Sequence, residues 1–183
     1  MGREERKREI LELIDTALDN LIQEDDIESL AKVQGRSAPA NFEKAWIPGT
    51  DLKSSGTKKE VEMNISTDEP VEGKWLFHNH PTGELPIPSF TDVVNAVKAK
   101  VLMGITGSAI TTRSGDRSIS WTYIEPTDEL LRRIGPIDND DNAERKIESK
   151  LAHLRNLEGM PEEVFKELEK AGFNIKSSLQ ESP

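Results

Sequence analysis

Apolar residues recur along this chain with two periods, and the switches between them divide it into elements. Ile10, Ile14, Ala17, Leu18, Leu21 and Ile22 return at three- and four-residue steps, with Arg, Lys, Glu and Asp opposite, which predicts one amphipathic helix over residues 3–23. Asp25 and Asp26 close it. Residues 27–33 fit either a further helical turn or a first strand, and 35–41, with Ser37 and Pro39, read as a loop. Phe42 to Pro48 predicts a strand ended by Pro48-Gly49, followed by a polar loop from Thr50 to Lys58. The period then becomes two. Val61, Met63 and Ile65 alternate with Glu60, Glu62 and Asn64, the pattern of a half-buried strand.

An acidic connection, Ser66 to Gly73, leads into an apolar strand over 74–78. A helix follows from about residue 90 to 101, with Phe90, Val93, Val94, Val97 and Val101 along one side. Leu102 to Thr106 reads as a strand. Residues 108–113 and 117–124 read as the arms of a hairpin around Ser114-Gly115-Asp116, with Ile119, Trp121 and Tyr123 alternating on the second arm. After Pro126 the pattern turns helical. Thr127 caps a short helix containing Leu130, Leu131 and Ile134, which stops at Gly135-Pro136. Residues 137–142 form an acidic linker, and Ile147, Leu151 and Leu154 make a narrow stripe on a second helix. Pro161 opens a third, with Val164, Phe165, Leu168 and Ala171 on one face and Gly172 as its stop. The expected organisation is one domain over residues 1–125 and a helical extension over 126–183, which either covers the sheet or joins two copies of the chain as a homodimer.

Composition narrows the function classes. At 183 residues the chain fits one domain with appendages. Hydrophobic residues make up 34% and charged residues 32%, so the core is modest and much of the helix is solvated. A net charge of −10 argues against direct nucleic-acid binding, which rests on neutralising phosphates with Lys and Arg. Without cysteine there is no disulfide, thiolate ligand or thiol nucleophile. No apolar run approaches membrane-spanning length, and the N-terminus reads as charged helix rather than a signal peptide, so the expectation is a cytoplasmic protein with no membrane partner.

The chemistry concentrates in Trp75-Leu76-Phe77-His78-Asn79-His80-Pro81 and, seven residues later, Ser89-Phe90-Thr91-Asp92. On an extended strand alternate side chains share a face, so His78 and His80 project together while Asn79 points away. Two neutral imidazoles and the Asp92 carboxylate suit zinc, and three protein ligands leave the fourth tetrahedral position open, as in catalytic rather than structural zinc sites. Pro81 has no N–H to continue the ladder. Gly83, Pro86 and Pro88 make the intervening loop stiff enough to hold a third ligand in place. Ser89-x-x-Asp92 also reads as a plain helix N-terminus, with Ser89 capping and Asp92 at the positive end of the dipole. The two roles are compatible. His153, the remaining histidine, lies beside a helical stripe and receives no metal role.

His78, His80, Pro81, Ser89 and Asp92 together match H-x-H-P-x7-S-x-x-D, and in this the chain resembles the JAMM metalloproteases over roughly residues 40–125. Its wording is similar to prokaryotic and viral members, including the DNA-repair-associated RadC branch. The resemblance implies an MPN-like (cytidine-deaminase-like) α/β sandwich with a mixed sheet, Zn2+ held by His78, His80 and Asp92, and a protein or peptide substrate, ubiquitin-like modifiers being among those the family acts on. It also implies an upstream glutamate as general base and the motif serine, here Ser89, as the donor to the oxyanion. Glu43, Glu60 and Glu62 compete for the base. Glu60 and Glu62 lie opposite an apolar strand face, as solvated residues do, whereas Glu43 shares a face with Ala45 and Ile47, where a solvated charge is less expected. Glu43 also precedes His78 by 35 positions, similar to the short interval of compact family members. The expected activity is that of a zinc peptidase or isopeptidase. A non-catalytic scaffold of the same fold, a RadC-like role near DNA and a hydrolase of non-protein amides are the alternatives.

Overall fold

Trp75–Asn79 forms an interior strand of the sheet. A computed structural model gives the fold and describes residues 2, 5–8, 10, 43–48, 50, 53–55, 70–81, 84–114, 118–137, 140–157 and 159–180. In chain order the elements are β1 (Lys44–Trp46), β2 (Lys53–Ser55), β3 (Trp75–Asn79), α1 (Phe90–Met103), β4 (Gly107–Arg113), β5 (Ile119–Pro126), α2 (Asp128–Ile134), α3 (Asp140–Lys150), α4 (Pro161–Ala171) and β6 (Phe173–Ser177). The strands make one mixed sheet in the order β2-β1-β3-β4-β5-β6. β3 and β4, joined by the crossover helix α1, run parallel; the other neighbours are antiparallel. The molecule is thus of the α/β class with a mixed sheet.

The two faces of the sheet differ. In register across it, Ala45, His78, Ile110, Thr122 and Ser177 form one transverse row. On that face lie α1 and the C-terminal helices: Val93, Val94 and Val97 of α1 share a core with Ile124, Leu130, Ile147, Leu168 and Phe173. The other face is aromatic. Trp75 stands 6.5 Å from Phe77 and 5.5 Å from Tyr123 between ring centroids, and Trp46 lies 5.9 Å from Phe77. Tilted pairs at these distances are the favoured aromatic arrangement.

Helix α1 begins at an N-cap, Ser89, and ends at Gly104, whose φ of 71° lets its N–H turn back to the carbonyls of Ala99 and Lys100. This overturns the expected strand at Leu102–Thr106: Leu102 and Met103 are the last turn of α1, and β4 starts at Gly107. The polar stretch 50–58, expected as loop, contains edge strand β2, paired to β1 from Lys44↔Ser55 to Trp46↔Lys53. The chain after residue 125 is not wholly helical either. Beyond Gly172 (φ 113°), β6 pairs with β5 from Pro126↔Phe173 to Thr122↔Ser177, so the C-terminal segment supplies a strand to the sheet as well as helices to its core. Of the predicted helix 3–23, residues 5–8 and 10 are helical; the strand expected at 60–65 and the segments 27–33 and 35–41 lie outside the described residues. No helix among the described residues is long and apolar enough to cross a membrane.

Candidate metal centre

His78 and His80 stand at the C-terminal end of β3, where the parallel pair opens toward the crossover helix. Ligand sites in open α/β sheets favour this end of the strands. His80 has left the ladder's regular part, yet its N–H still donates to the Thr111 carbonyl at 2.8 Å, which keeps the strand's alternation through the second histidine. The imidazoles therefore share one face, with ring centroids 5.4 Å apart.

Asp92 comes to them on the first turn of α1. Ser89 Oγ accepts the Asp92 N–H at 3.1 Å, and Asp92 Oδ2 accepts the Ser89 N–H at 2.9 Å, a reciprocal capping box. The cap reading of Asp92 is thus realised, and its carboxylate lies where the ligand reading needs it. Its Oδ1 lies 3.2 Å from His78 Nε2 and its Oδ2 3.3 Å from His80 Nε2. Donors about 2.1 Å from a tetrahedral zinc ion sit about 3.4 Å apart, so each imidazole nitrogen approaches one oxygen of Asp92 at a spacing that two ligands of one ion could have. His78 Nε2 is buried without a hydrogen bond of acceptable direction, despite the short approach to Asp92. Buried polar nitrogens are rarely left so. Among the described residues, His78, His80 and Asp92 are the group that could hold a metal ion, their ligand atoms all within 4.8 Å of one another.

The second nitrogen of His80 shows how the site is oriented. Nδ1–H donates to the Leu85 carbonyl at 3.2 Å, which aims Nε2 at Asp92 Oδ2, 3.3 Å away: protonated, the ring donates to that carboxylate, and neutral, it offers the shared space a lone pair. A second bond of this kind is what orients metal-binding histidines. Burial opposes a charge on His80, but the hydrogen bond and charge of Asp92 outweigh it and raise its pKa above the ordinary imidazole value. For Asp92, burial favours the neutral acid, yet the two imidazoles overcome it and hold the carboxyl well below the usual range. The donor set is therefore a true carboxylate beside two nitrogen ligands.

Glu43 lies one residue before β1. Continuing the register Trp46↔Phe77 and Ala45↔His78 places it across from His80. It is only 8% exposed and stands outside the three-ligand group. Burial pushes its carboxyl pKa up; His78 and His80 pull it part of the way back, and Asp92 and Glu84 add to the rise. Ser89 is exposed, and its capping bond uses the oxygen as acceptor, leaving the hydroxyl proton to be donated elsewhere. Glu60 and Glu62 lie outside the described residues. His153 is exposed on the turn after α3, away from the cluster. Sequence reasoning did not single out Leu85 or Glu84. A ligand-orienting backbone carbonyl has no residue signature, and only the position of Leu85 between Pro81 and Pro88 hinted at it.

Set against known proteins, the chain matches no family model, no curated protein and no solved structure. What the fold and the site define by themselves is a mixed α/β protein with a His-His-Asp group able to hold a metal ion at the end of a parallel strand pair.

Proposed function

We propose that this protein is a zinc-dependent hydrolase of peptide or isopeptide bonds, of the JAMM type its sequence resembles, built on an MPN-like sandwich. The observation that carries the reading is the pairing of a three-ligand group with a buried carboxyl, Glu43, whose pKa burial raises and that is not one of the ligands. A purely structural metal site has no use for the second element. His78 Nε2, His80 Nε2 and an Asp92 oxygen would hold the ion. The ion supplies Lewis acidity, polarising the scissile carbonyl and acidifying water.

The remaining work belongs to side chains. Glu43 takes a proton from the attacking water and delivers it to the departing amine nitrogen, a task suited to a carboxyl whose proton affinity burial raises. Ser89 Oγ–H donates to the carbonyl oxygen as negative charge gathers there. The Leu85 carbonyl keeps His80 in the tautomer that presents Nε2. Buried Pro86 and Pro88 hold the loop that supplies this carbonyl.

The test begins with protein purified without chelator, for which elemental analysis should find about one zinc per chain. The zinc-loaded protein is then offered a panel of peptides and Lys-linked isopeptides, with a chelated control. Cleavage that stops on chelation and returns with zinc is the expected result. A zinc-loaded protein that cleaves none of the panel, or cleavage indifferent to chelation, overturns the reading.

A further inference from the structure

The reverse face of the sheet carries a concavity of its own, at the opposite end of β3 from the histidines. Trp75 and His78 are three residues apart on one strand, so their side chains leave by opposite faces. Beside Trp75, β4 offers Gly107, which has no side chain to fill the row. The Tyr123 ring takes that space: a Cβ on Gly107 would stand 2.7 Å from its hydroxyl oxygen and 2.9 Å from Cε2. Bare Gly107 is thus what lets Tyr123 lean to 5.5 Å from Trp75 between ring centroids, with the planes at 51°. Glu125, two residues on from Tyr123, shares its face, and Lys176 and Asn174 continue these two rows on β6. With Glu169 of α4, these side chains line a cleft of about 840 Å³.

We propose that this cleft binds a lysine or arginine side chain of a peptide, a contact separate from the metal group and independent of the hydrolase reading. Trp75 is half-buried, so part of its indole is open to the cleft. An indole face attracts a cation through its ring quadrupole, which a plain apolar ligand does not exploit. Glu125 and Glu169 put two carboxylates in the same lining. Lys100 approaches Glu125 through Oε1 at 3.5 Å, and a carboxylate accepts on both oxygens, so capacity remains for a second cation. Lys176 is the one cation in the lining, and its exposure lets water and salt screen it. A long amphipathic side chain suits this surface, its stem along the rings and its charged head at the carboxylates. An acidic ligand meets both carboxylates, and the net charge of −10 adds to the repulsion.

Short end-capped peptides, identical except for one central lysine, norleucine or glutamate, test this by calorimetry against the full-length protein. The lysyl peptide should bind, the norleucyl peptide about two- to thirtyfold more weakly, the span of a cation over an aromatic face, and the glutamyl peptide weakest. Trp75→Leu and Glu125→Gln should each erase most of the lysyl advantage, while Trp75→Phe, which keeps a ring, retains part of it. Asp92→Ala, which removes a ligand of the metal group, should leave the lysyl affinity unchanged. Circular dichroism confirms that each variant compared is folded. Equal affinity for the lysyl and norleucyl peptides, or no binding of the lysyl peptide, overturns the assignment. So does a lysyl preference that survives in folded Trp75→Leu and Glu125→Gln, or one that is lost in folded Asp92→Ala.

Discussion

Two regions of this molecule share one core and obey different rules. From Asp128 to Ser177 nearly every local choice agrees with the fold. Thr127 caps α2 through Leu130 N–H, Pro161 opens α4, Gly172 ends it, and Val164, Phe165 and Leu168 are buried on one face. From His78 to Asp92, and at Glu43 across from them, the choices conflict with plain stability. An imidazole nitrogen is buried without a directed partner, a carboxylate is desolvated against two histidines, and a glutamate is hidden at the strand's flank. Regions that break local rules and still fold are where function is expected, because something outside the protein's own packing must compensate. An ion held by the His-His-Asp group would supply that compensation.

If the contrast is real, substitutions on the two sides should fail differently. Asp92→Ala should have the largest effect on the site: zinc retention falls from about one per chain to background and hydrolysis disappears, while His153→Ala keeps both. Retention of full zinc by folded Asp92→Ala, by elemental analysis, would remove the site. Glu43→Gln should leave zinc and the fold intact and lower turnover by about two to four orders of magnitude, the usual scale for a general acid–base group. A variant that turns over normally would return the role to Glu60 or Glu62.

Acid should act next. Zinc competes with protons for His80, whose affinity for a proton is raised by Asp92, whereas Asp92 itself stays ionised far into acid. Zinc affinity, measured against a competing chelator, should therefore begin to weaken above the ordinary imidazole range as pH falls, by about tenfold per pH unit once one proton is displaced. An affinity flat across that range would contradict the pairing. On the other side of the comparison, Leu168→Ala should cost about 2–5 kcal/mol in denaturant unfolding, as buried leucines do, with zinc per folded chain unchanged. Zinc loss in the native state of that variant would show that the two regions are not separable.

Much of the site was legible because it obeys simple periodicities. Period two places His78 and His80 on one face, the capping pattern places Asp92 on the first helical turn, and the parity of Glu43 with Ala45 puts it on the histidine face once Ala45 pairs with His78. The errors arise where backbone pairing or a single glycine decides. Lys53–Ser55 has no apolar alternation, since an edge strand can be held by main-chain bonds alone. Leu102 to Thr106 is apolar and β-branched enough to suggest a strand, but left-handed Gly104 makes the first part of it a helix end. The alternation Phe173-Asn174-Ile175-Lys176 was visible in the chain; its brevity, directly after a helix stop, hid β6. Nothing in residue type could announce that the Leu85 carbonyl orients His80.

The capping box at α1 carries a consequence for dynamics. One oxygen of Asp92 both closes the helix by accepting the Ser89 N–H and faces His80 Nε2. Whatever binds that carboxylate in its folded position also favours the closed cap, by the mass-action term that rewards any ligand of the native state. Occupancy of the site is therefore written into the fraying of the helix, and the amides of Ser89, Asp92 and Val93 should exchange hydrogen more slowly as zinc is added, while those of α4 keep their rate. The first turn of α1 would then serve as a gauge of the metal's presence, readable one amide at a time.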